Sequence, residues 1–136
     1  MTETSPALGL KTTLHTDFEN AETRVTEALK AEGFGVLTEI NVKETLKKKL
    51  DVDFRPYKIL GACNPWLAFR ALTAAPEVGL LLPCNVTLSQ NADGSVEVSM
   101  IDPLMMMSVV PNSELAAVAD EARARLERAL DHLKEA

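Results

Sequence analysis

The C-terminal end of the chain carries one uninterrupted apolar stripe. From Asn112 or Ser113 to Lys134, the residues Leu115, Val118, Ala119, Ala122, Leu126, Ala129, Leu130 and Leu133 recur at the three-and-four spacing of an α-helix. Glu114, Asp120, Arg123, Glu127, Arg128 and Asp131 fall on the other side. A helix this long and this two-faced must bury its stripe against another element. The upstream pattern supplies strands for it to cover.

Gly9–His15 alternates as a first strand, with Leu10, Thr12 and Leu14 on one face. Thr16 then stands as a helix N-cap with Glu19 in capping-box position, and the helix runs to Glu32 with Gly33 as its C-terminal stop. Phe34–Ile40 reads as a second strand. Asn41 caps a second helix whose Val42, Leu46 and Leu50 are expected to form a buried stripe. After a loop at Asp51–Phe54, Pro56–Ala62 is a third strand. Asn64 and Pro65 are a good N-cap and first-turn pair for a third helix to about Ala74.

Pro76 to Gly79 breaks that helix. Leu80–Ser89 reads as a long strand, with Pro83 marking an edge or a bulge. The turn signal Asn91-Ala92-Asp93-Gly94 joins it to a hairpin partner, Ser95–Ile101. Leu104–Val110 is apolar on every side, and its periodicity fits a strand or a short helical turn equally. The order is βαβαβα, then a β-hairpin, then a helix. The expected class is α+β, two layers, with helices on one face of a single mixed sheet in one domain spanning residues 1–136.

Composition narrows the function classes. At 46% hydrophobic and 25% charged residues the chain is an ordinary globular one, and with only 4% aromatics its core must be mostly aliphatic. A net charge of −6 with no basic stripe argues against nucleic acid. The one basic cluster, Lys43, Lys47, Lys48 and Lys49, falls on a helix and reads as a solvated face. Met1–Leu10 shows no leader pattern, and apolar runs such as Val78–Pro83 are too short to span a bilayer. The expectation is a cytoplasmic protein without a membrane partner, its two cysteines free thiols.

Those cysteines sit in two similar stretches, Leu60-Gly61-Ala62-Cys63-Asn64-Pro65 and Leu81-Leu82-Pro83-Cys84-Asn85-Val86. Each places a Cys-Asn pair at the end of an apolar run. If the third helix crosses between neighbouring parallel strands, both thiols come to one end of the sheet. Cys63, just before a helix N-cap, is a candidate nucleophile or redox thiol. The plainer reading is a small buried hydrophobe followed by a capping Asn.

Motifs for specific chemistry are sparse. The chain has no C-x-x-C, and Gly33-Phe34-Gly35 follows a helix, opposite to phosphate-loop patterns. Of the two histidines, His15 is the one candidate partner for Cys63, and His132 reads as surface. Met100, Met105, Met106 and Met107 together with a cysteine could ligate Cu(I) or haem iron, but core packing or a dimer contact is the favoured reading. No metal site is assigned and the cofactor is unknown. Asp102, before Pro103, is a turn former.

The ordered blocks Gly33–Ile40 with Val42-Lys43, Asp53–Pro65, Gly79–Val86 and Ile101-Asp102-Pro103 resemble the domain-of-unknown-function 302 family across residues 8–135. Asn41 departs from a pattern that often has Asp there. The resemblance implies a compact two-layer α+β fold and a homodimer. It makes Cys63, Asn64, Cys84, Asn85 and Asp102 candidates for a shared site, and it transfers no catalytic mechanism. Three functions therefore compete: a small-ligand or thiol site around the Cys-Asn pairs, a non-catalytic homodimeric module, and a cysteine-dependent enzyme using His15.

Overall fold

A computed structural model describes residues 8–135; the side chains of Met107, Ser108 and Glu135 are outside the described set. The leader reading of the N-terminus therefore falls, up to residue 7, outside the described residues. No helix among the described residues is long and apolar enough to cross a membrane.

The strands are β1 (Gly9–Leu14), β2 (Gly35–Asn41), β3 (Tyr57–Cys63), β4 (Cys84–Gln90) and β5 (Val96–Ile101). The helices are α1 (Phe18–Ala31), α2 (Val42–Leu50), α3 (Pro65–Ala74) and α4 (Ser113–Glu135). Two 3₁₀ helices, Pro76–Leu81 and Pro103–Ser108, complete the described elements. The strands form one sheet in the order β1-β5-β4-β3-β2.

The α+β class stands, but the sheet is antiparallel at every pairing rather than mixed. The difference lies between β3 and β4. The chain does not cross back along the sheet after α3. Residues 76–81 wind into a 3₁₀ helix instead of starting a strand at Leu80, so β4 begins at Cys84 beside the place where β3 ended.

Local signals explain most element ends. Asn41 and Asn64 accept the Glu44 and Leu67 amide hydrogens at 3.0 and 3.2 Å, as N-caps do. At α1 the cap is Asp17 rather than Thr16: its carboxylate accepts from the Asn20 N–H at 2.7 Å, while Thr16 Oγ1 accepts from the Asn20 side chain. Gly33 closes that helix at φ +86, with the Gly33 and Phe34 amides donating to Lys30 and Leu29 carbonyls. The mostly apolar Leu104–Val110 resolves as a 3₁₀ helical turn up to Ser108, capped by Asp102.

Alternation along β4 and β5 turns Cys84, Val86, Leu88, Val96, Val98 and Met100 to one face. There α1 contributes Ala21, Val25, Ala28 and Leu29, and the second half of α4 contributes Leu126, Ala129, Leu130 and Leu133. The opposite face carries Lys11, Tyr57, Asn85, Thr87, Ser89 and Glu97. α3 packs on the first half of α4 rather than on the sheet, making a second cluster of Leu67, Ala71, Val78, Leu115, Val118 and Ala122. The buried stripe expected on α2 does not form: none of its residues is buried and Leu50 is 65% exposed. Val42, Leu46 and Leu50 form a row only one residue wide beside three consecutive lysines, so α2 touches β2 and β3 without burying a stripe against them.

Candidate functional site

Because β3 and β4 run antiparallel, the carboxyl end of one meets the start of the other. Cys84 lies directly across from Ala62, so it neighbours Cys63 diagonally, while Gly61 faces Asn85. Both cysteines are free thiols. They line one cavity of about 270 Å³ between the sheet end, α3 and α4.

The walls come from six separated segments. Leu67, Ala68, Ala71 and Leu72 of α3 form one side, and Val118 and Ala122 of α4 close it from beneath. Leu82 and Pro83 lead into Cys84, and Met106 enters from the second 3₁₀ helix. Leu37 reaches the rim through a β-bulge: Val36 pairs with Ala62 and Thr38 with Gly61, leaving Leu37 as the extra residue. Ala68, Ala71 and Ala122 leave open what larger side chains would fill.

Polar groups in the cavity are few. The Asn64 carbonyl oxygen is occupied in capping α3. Its amide nitrogen lies against Gly33, where an added Cβ would come within 2.8 Å. Burial, reinforced by the neighbouring Cys63 thiol, pushes the Cys84 thiol up to about 11. Cys84 is thus held as a neutral thiol near pH 7.

The remaining candidates are elsewhere. Asn85 projects to the opposite, polar face of the sheet. Asp102 accepts the Leu104 N–H at 3.0 Å and takes the Arg123 Nε at 3.2 Å from both carboxylate oxygens. It ties the Met106-bearing turn to α4 and does not line the cavity. His15 follows β1 at the far end of the sheet, near the hairpin turn. There Asp93 is held below its usual value mainly by the Ser95 hydroxyl, with a smaller contribution from His15. His132 borders a separate groove with Arg24 and Glu27. Neither histidine of the chain lines the cysteine cavity.

Sequence reasoning passed over Leu37, Ala71, Val118 and Ala122 as site residues, and weighed Met106 only within a methionine run whose favoured reading was packing or a dimer contact. The available signal was small side chains within apolar stripes at Ala68, Ala71 and Ala122.

Residues 10–133 match the family model described as "Domain of unknown function DUF302". The chain belongs to the DUF302 family. A crystal structure of an uncharacterized conserved DUF302 protein from Bacillus stearothermophilus is 33% identical and superposes with a TM-score of 0.85. That match covers 93% of this chain and 98% of the other, so the DUF302 fold accounts for both nearly end to end. No curated protein matches the chain.

Proposed function

We propose that this DUF302 chain is a small-ligand-binding domain whose site is the apolar cavity containing Cys63 and Cys84. The observation that carries this reading is that both cysteines line one cavity of about 270 Å³, within reach of small-molecule dimensions. Its lining is mostly aliphatic, so shape and apolar contact would select the guest, with the two cysteines as the polar handles that orient it. A reducing compartment such as the cytoplasm would keep both thiols free. A cysteine-enzyme reading has less support, since His15 and His132 lie away from the cavity.

Indole serves as a probe. Titrated into labelled protein, it is expected to shift amide resonances at Cys63, Ala71, Cys84 and Ala122, and Ala71→Leu to weaken that binding by about tenfold, or ~1.4 kcal/mol. Shifts scattered over the surface, or binding indifferent to Ala71→Leu, would defeat the proposal.

The exposed side of α3 supports homodimerisation as a companion reading. Leu67 and Ala71 face inward, yet Trp66, Phe69 and Leu72 are 66%, 62% and 41% exposed, and the two rings stack at 5.9 Å. A helix apolar all round expects a partner on its outer side. The occupant we propose is a second copy. The only charged side chain on α3, Arg70, is engaged by Glu114 and Glu121, so this neutral face can meet itself without like-charge repulsion despite the chain's net −6. Light scattering is expected to give twice the chain mass for wild type and the single mass for Trp66→Glu. A wild-type monomer at high concentration would end this reading.

A further inference from the structure

We propose that Cys63, Cys84 and Met106 form a site for a soft, low-coordinate monovalent cation, the cuprous ion. The proposal rests on the reading of the cavity as a binding site and adds a metal ion to it as a second kind of guest. Three sulfur side chains from three separate elements, the end of β3, the start of β4 and the second 3₁₀ helix, line the same small space. The β3–β4 register makes Cys63 and Cys84 diagonal neighbours, both residues line the cavity, and Cys63 lies near enough for its charge to act on Cys84.

The donor set selects the ion. Among the described residues no group of three or more His, Cys, Asp or Glu side chains is placed to hold a metal. Calcium and magnesium want several oxygen ligands, and structural zinc wants four N or S ligands. Two thiolates and a thioether in an aliphatic enclosure suit Cu(I), whose soft character and low coordination number need no more. The surroundings also hold the donors in place. Asp102 bridges to Arg123 and so fixes the turn that carries Met106 against α4, while Asn64 fixes the start of α3 beside Cys63.

The reaction is an exchange of cations with no change of oxidation state. Each thiol releases its proton to solvent as its sulfur bonds Cu(I), and the Met106 thioether donates a lone pair without losing anything. The resulting bis-thiolate complex carries one negative charge, opposite in sign to the positive end of the α3 dipole at Asn64. Burial that disfavours a bare Cys84 thiolate does not disfavour a metal-bound one, because the cation replaces the proton as the compensating charge.

The test is an anaerobic titration of the reduced protein with Cu(I) delivered from bicinchoninate, beside the indole titration on the same samples. Wild type is expected to take up about one ion, lose labelling at both cysteines and release about two protons near pH 7. Cys63→Ser and Cys84→Ser are each expected to weaken the site at least ~100-fold, and Met106→Leu, which keeps volume and apolarity, by about tenfold. Cu(I) affinity unchanged in Cys84→Ser or Met106→Leu, or thiols that stay labelable in the loaded protein, would overturn the site. Indole binding without Cu(I) binding overturns the metal proposal and leaves the cavity reading standing; loss of both overturns both.

Discussion

Wild-type protein is expected to lose about 2 kcal/mol of folding stability between pH 9 and pH 11 that Cys84→Ala does not lose. The Cys84 thiol titrates at 9.0 in its unperturbed state and at about 11 in the folded chain, a difference of about 2 units (11 − 9.0). Folding therefore favours the protonated thiol. Well below pH 9 both states carry the proton and the contribution is fully present. As pH rises through the unfolded value and toward the folded one, the unfolded chain releases the proton first, and stability falls. Lys58 loses its own contribution in alkali, because its bonds to Glu22 and Glu39 raise it above 10.5. The difference between wild type and Cys84→Ala removes that shared background. Urea unfolding at pH 7, 9 and 11 measures it, and parallel curves for the two proteins would refute the assignment. The same shift leaves Cys84 with roughly 100-fold less thiolate at neutral pH than an unperturbed cysteine, so its alkylation should be correspondingly slow.

Gly61→Val is expected to cost about 3 kcal/mol and to abolish indole binding. Gly61 is buried in β3, opposite Asn85 on one side and Thr38 on the other. A Cβ there would overlap the Thr38 hydroxyl and sit 2.7 Å from Pro83 Cγ. Both neighbours belong to devices that shape the cavity: Thr38 closes the bulge that aims Leu37, and Pro83 leads the chain into Cys84. The Thr38 hydroxyl can turn aside, but the Pro83 ring is locked to its backbone and cannot yield without moving a wall. Gly79→Ala is the matched control, since its Cβ would meet only Leu72 Cδ2 at an ordinary 3.6 Å. A Gly61→Val protein as stable as wild type and still binding indole would show that the strand end yields freely.

Features decided within one turn of chain were legible in the sequence. Asn41 and Asn64 cap helices because their side chains need reach only three residues forward. The Asn91–Gly94 turn and the α4 stripe are equally local. The direction of β4 was not local. Residues 64–83 are long enough to cross the sheet or to stay at one end, and the choice depends on α3 finding its apolar partner in α4 rather than on the strands. Cys63 and Cys84 lie at one end of the sheet as diagonal neighbours, through antiparallel rather than parallel pairing. The cavity was harder still. Its walls come from positions as far apart as Leu37 and Ala122, and an alanine in a stripe looks the same whether it fits tightly or leaves space. Asn85 shows the opposite case: the repeat of Cys-Asn suggested a matched pair, but one step along a strand reverses the face, so Asn85 parts from Cys84.

The division of labour along α4 has a consequence for how the molecule comes apart. Its 23 residues extend over about 34 Å at 1.5 Å each, and its two halves cover different clusters. Each cluster has a helix of its own, α1 or α3, but both are covered by α4, so opening either one strips part of a stripe that continues into the other. The continuous helix acts as a shared spine, and a guest that tightens the cavity around Val118 and Ala122 raises the opening cost at Leu130 and Leu133 as well.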